Sequence, residues 1–136
     1  MRTYLKIKYA IITAFLIFCA CKLSAQEDIQ PVKITLTKVS KLDADGNILT
    51  TFTDITKLTW RSDHKYMIVN SEDMDPFTVW YDNADTFKSE DNPGLEYINF
   101  FSKNKLVMTL AWGDNGYRGL MLYDENGDMA FLLDNQ

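Results

Sequence analysis

The chain has 136 residues, 46% hydrophobic and 24% charged, an ordinary composition for one globular domain rather than a disordered or fibrous chain. All 19 acidic residues lie from Glu27 onward, whereas Arg2, Lys6, Lys8 and Lys22 precede it. Residues 26–136 therefore carry 10 basic groups against 19 acidic ones, a formal charge of −9. Binding to phosphate backbones rests on neutralisation by Lys and Arg, so this balance excludes nucleic acid and anionic headgroups as expected partners.

The opening "MRTYLKIKY" is basic, and "AIITAFLIFCA" follows as an apolar run of eleven residues with Thr13 as its one polar member. A basic n-region, an h-region of this length and a small-residue c-region define a secretory signal peptide. The run falls short of the ~18–20 residues of a permanent membrane span. Export is therefore expected, to a periplasmic, outer-envelope or extracellular location. Two processing routes compete in "CACKLSAQ". Cleavage after Ala25 uses the small residues Ser24 and Ala25, and is the favoured route. The alternative is that "FCAC" resembles the lipobox of bacterial lipoproteins, which makes Cys21 the lipidation candidate and the lipid on it the sole membrane attachment. Domain organisation follows: 1–25 as signal peptide, or a lipoprotein signal ending before Cys21, then 26–136 as one small β domain. Cys19 and Cys21 have the wrong spacing for a redox CxxC pair, and cleavage after Ala25 leaves a chain without thiols.

After "QEDIQP", "VKITLTKVSKL" alternates Val32, Ile34 and Leu36 against Lys33, Thr35 and Thr37, and its phase then shifts at Val39 as a β-bulge produces. "DADGN" is a turn, because Asp-Gly supplies the positive φ of a tight hairpin. "ILTTFTDITKLTW" reads as one long bent strand or two short ones. "HKYMIVN" and "PFTVWY" are the next strands, with Pro76 admissible only at the start of the second. "DNADTFKSEDNPG" is the least strand-like stretch and reads as a polar connection or a single helical turn. "LEYINFF", "KLVMTLAW", "YRGLMLY" and "MAFLL" complete the set, with Asn-Gly pairs in two of the linkers as hairpin signals. No stretch after residue 25 has a convincing 3.6 period. The expected fold is all-β, a single antiparallel meander of about seven to eight short strands forming a small barrel or sandwich.

The residues that carry chemistry are few. His64 is the single histidine and no nucleophile motif frames it. The acidic clusters at Glu72–Asp75, Asp82–Asp85 and Asp124–Asp128 fit turn chemistry. "DADGN" fails as an EF-hand because its glycine and terminal glutamate are misplaced. No catalytic residue, metal site or cofactor is expected, and the chain is read as not an enzyme. Trp112 shares a face with Leu106, Met108 and Leu110, and Trp60 with Leu58, which places both tryptophans in the core. In "PFTVWY", Phe77, Val79 and Tyr81 share one face, which turns Trp80 outward beside Asp82 and Asn83. An indole ring desolvates cheaply while flanking polar groups fix orientation, so Trp80, Asp82 and Asn83 are the ligand-binding candidates. The functional expectation is an exported, non-catalytic binding or interaction module whose partner is a small apolar molecule, a glycan or a protein. One alternative is a structural subunit pairing through sheet edges, and another a small hydrolase using loop carboxylates.

Overall fold

The computed structural model describes residues 30–136, and both processing readings, at Ala25 and at Cys21, lie outside them. Nine strands follow in order: β1 (Val32–Leu42), β2 (Ile48–Arg61), β3 (Tyr66–Ser71), β4 (Phe77–Trp80), β5 (Asn83–Lys88), β6 (Leu95–Ser102), β7 (Lys105–Gly113), β8 (Arg118–Tyr123) and β9 (Met129–Asp134). All neighbours pair antiparallel in one sheet of order β4-β3-β2-β1-β9-β8-β7-β6-β5. Eight of the nine strands occupy the eight apolar runs of the sequence. The ninth, β5, corrects the reading of "DNADTFKSEDNPG" as a connection. Its first part pairs with β6 from Asn83↔Phe101 to Lys88↔Glu96, so a partner ladder supplies what the polar sequence lacks in intrinsic preference.

The sheet is a meander interrupted once. The first and last strands pair with each other, Val39 opposite Leu133, and the opening lies between the consecutive strands β4 and β5. The sheet is curled rather than flat. Trp60 on β2 and Phe100 on β6 are separated by five strand spacings, about 24 Å on a flat sheet at about 4.8 Å each, yet their ring centroids are 5.4 Å apart, edge to face. The link between β4 and β5 draws the two ends together. The Tyr81 N–H donates to the Lys65 carbonyl beside one end, and the Asp82 N–H donates to the Phe101 carbonyl beside the other. One extended segment, 77–88, thus pairs first with β3 and then with β6. The architecture is a half-barrel formed by a single sheet, and a two-sheet sandwich is excluded.

The core fills the concave face. Ile34, Leu36, Val39, Leu58, Met67, Val69, Tyr81, Phe100, Met108, Leu110, Leu120 and Leu133 form one buried cluster. The phase shift read at Val39 is real: register slips between Leu36 and Lys38, so that both Leu36 and Val39 are buried. A second slip opposite Phe100 and Phe101 turns Val107 onto the core and leaves Leu106 outside the cluster, which corrects the shared face assigned to Leu106. The hairpin turns are built by side chains. Asp43 Oδ1 accepts the N–H groups of Asp45 and Asn47, and Asp124 Oδ1 accepts those of Asn126 and Asp128. Gly46 and Gly127 take the positive φ (85° and 86°) that closes each loop.

Candidate functional site

β4 positions Trp80 by alternation. Tyr81 is buried and Val79 packs against the core, so the side chain between them points away from the concave face. Trp80 is 61% exposed, more than any other large apolar side chain on β3 to β9. It stands opposite Tyr66 in the β3–β4 register, with the two rings 4.8 Å apart and tilted by 59°. Tyr66 in turn stacks against His64 at 6.2 Å and 9° between planes. The result is a short aromatic row, His64–Tyr66–Trp80, at the end of the sheet. Phe77 and Met74 are also exposed; Phe77 lies opposite the buried Val69, on the face it shares with Val79 and Tyr81, but is only partly covered. Among the described residues, β4 pairs on one side only, so a row of backbone N–H and C=O groups lines this end.

The electrostatics of the row are local. Asp63 receives a two-pronged contact from Arg61, Nε at 3.1 Å and Nη2 at 2.9 Å. The Arg61 hydrogen bond holds the Asp63 carboxyl below its ordinary range. Asp63 Oδ2 also lies 3.5 Å from His64 Nε2.

Asp82 and Asn83 are both exposed beside this row, but Asp82 already has partners in the fold. Its carboxylate accepts the Lys103 N–H at 2.9 Å, and its carbonyl accepts Lys65 Nζ at 3.2 Å. Lys103 and Asn104 form a two-residue turn with φ of 53° and 66°, a left-handed conformation that Asn tolerates but that costs a residue such as Lys about 1–2 kcal/mol. Asp82 steadies that turn. Asn83 begins β5 opposite Phe101.

The two other tryptophans are placed less deeply than their sequence pattern implies. Trp60 and Trp112 are half-buried and flank the core rather than belonging to it. They sit where the concave face reaches solvent, facing each other across a cavity of about 250 Å³ lined also by Val32, Glu96 and Ile98. For these two tryptophans alternation gives the face correctly but not the distance from the end of the core, so this opening had no signature. Comparison with protein-family models, with curated proteins and with solved structures finds no match for the chain.

Proposed function

We propose that the chain is an exported, non-catalytic interaction module that engages a protein partner through the β3–β4 end of its sheet, with Trp80 as the anchor. The observation that carries this reading is the 61% exposure of Trp80 against a fixed aromatic neighbour, Tyr66. Interface hot spots are enriched in tryptophan, tyrosine and arginine, and a large aromatic left in water beside an edge strand is a ready contact for an added strand. Export rests on the basic, apolar and small-residue pattern of the first 25 residues. The non-catalytic reading is supported by the commitments of the carboxylates: Asp43, Asp63, Asp82 and Asp124 each accept hydrogen bonds within their own turn or from a neighbouring loop. Affinity capture from the native envelope tests the reading. The wild-type chain retains a specific protein that Trp80→Ala loses at unchanged fold, and equal capture by both proteins overturns it.

A further inference from the structure

The concave opening between Trp60 and Trp112 is a second site, on the opposite face of the sheet from Trp80. Both rings are held in place before any ligand arrives. Trp60 donates its indole N–H to the Tyr81 hydroxyl at 2.9 Å and packs edge to face on Phe100. Trp112 is covered on part of its ring by the Arg118 guanidinium, 3.6 Å from the centroid. Arg118 Nη1 is anchored there by the carbonyls of Gly113 at 2.9 Å and Tyr117 at 2.8 Å. Arg118 does not line the cavity, so the ring surface turned towards the opening is not the surface under the guanidinium. Preorganised rings spare a ligand the cost of ordering them.

The chemistry of the opening is segregated. Its walls are Trp60, Trp112, Val32 and Ile98, and Glu96 stands at the rim. A second hollow of about 230 Å³ shares Glu96 and Trp112 and adds Lys88 and Asp114. Lys88 is the register partner of Glu96, so two carboxylate acceptors and one ammonium donor stand together. Each hollow is smaller than the ~300–1,000 Å³ that holds a drug-sized ligand, and the two adjoin at Glu96 and Trp112. An anionic ligand meets two carboxylates at this rim, whereas neutral hydroxyls can donate to Glu96 and Asp114 and accept from Lys88. A ligand with an apolar face for the indole walls and hydroxyls at its edge for Glu96, Asp114 and Lys88 matches the whole arrangement.

We infer that the opening between Trp60 and Trp112 binds a neutral pyranose ring of a glycan, with the ring face on the indoles and its hydroxyls on Glu96, Lys88 and Asp114. Arg118 fixes the Trp112 ring and is a positioning residue. The test is intrinsic tryptophan fluorescence titrated with a panel of neutral oligosaccharides of glucose, galactose, mannose and N-acetylglucosamine, with indole as a separate arm. A saturable change with at least one oligosaccharide is expected. Glu96→Gln, an exposed substitution that leaves melting unchanged, weakens it about tenfold, the scale of one hydrogen bond to a charged group. Trp112→Phe weakens it with the emission of Trp60 still present as reporter. Trp80→Ala leaves it unaltered, so this site and the partner-binding edge fail separately. Three results overturn the inference: no saturable response to any oligosaccharide, a response to indole alone, or Glu96→Gln and Trp112→Phe both binding as tightly as the wild type.

Discussion

Replacing Trp80 by alanine, beside Phe100→Ala as reference, separates recognition from folding in a single pair of variants. Trp80 is 61% exposed and its defined neighbour is the Tyr66 ring at 4.8 Å. Its loss should cost about 0.5–1.5 kcal/mol, the scale of one aromatic pair. Phe100 has no exposed surface and touches both Trp60 and Tyr81, with ring centroids at 5.4 and 4.7 Å. Its truncation leaves a cavity where the two ends of the sheet meet and should cost about 3–5 kcal/mol. In a domain of this size, those values correspond to a melting shift of several degrees for Trp80→Ala and roughly 15 °C or more for Phe100→Ala. Thermal melts followed by far-ultraviolet circular dichroism read both. On partner binding the order reverses: Trp80→Ala should lose about 2 kcal/mol or more, roughly 30-fold, as a central anchor does. A Trp80→Ala protein that melts as low as Phe100→Ala would refute the outward placement. Full partner affinity in Trp80→Ala would refute the anchor role.

Three further outcomes follow from named contacts. Burial, then the nearby Asp134 carboxylate, pushes the Tyr117 phenol up to about 12. The fold therefore favours the neutral phenol, and that stability is complete below the ordinary value of about 10 and lost as pH rises through about 12. Spectrophotometric titration should show one late tyrosine that Tyr117→Phe removes; ionisation of every tyrosine together near pH 10 would contradict it. Lys103→Gly should stabilise the chain by roughly 0.5–1 kcal/mol by relieving a φ of 53°, and a lower denaturation midpoint would oppose this. Tyr81→Phe should cost about 1 kcal/mol by orphaning the half-buried Trp60 N–H, measurable by urea denaturation, with no loss refuting the bond's role in closing the sheet.

Much of the fold was legible because the alternation in the apolar runs is strong. Val32, Ile34 and Leu36, then Val39, gave both the strand and its bulge. Asp-Gly and Asn-Gly located two turns whose Gly46 and Gly127 adopt the expected φ. β5 was not legible. Asn83, Ala84 and Asp85 have little preference for strands, and their extended state depends on β6, a partner that chain order alone does not assign. Curvature was hidden for the same reason. It depends on contacts such as Trp60 with Phe100, which are 40 positions apart in sequence. The outward direction of Trp80 was readable from Val79 and Tyr81, whereas Tyr66 as its companion needed the β3–β4 register. Asp82 shows the limit of reading a site from neighbours in the chain. It adjoins Trp80 in sequence, but its carboxylate is used to hold the turn at Lys103.

The placement of Trp80 and Tyr81 on consecutive positions explains how a half-barrel can hold an exposed tryptophan in a fixed place on an otherwise vulnerable end. An exposed edge strand is prone to fraying and to unspecific pairing. Here the edge cannot fray independently, because the residue after Trp80 is locked from both directions: its N–H is held by Lys65, its ring lies on Phe100, and its hydroxyl accepts the Trp60 indole. The backbone that orients Trp80 is therefore the backbone that joins the two ends of the sheet. This also links the two proposed sites mechanically, since Trp60 lines the concave opening and is anchored by Tyr81. Tyr81→Phe should accordingly loosen both: weaker partner capture through Trp80 and weaker saccharide response through Trp60, at a cost in stability too small to unfold the chain. If both binding activities survive Tyr81→Phe unchanged, the two faces are independent, and the joining segment is a closure for the fold alone.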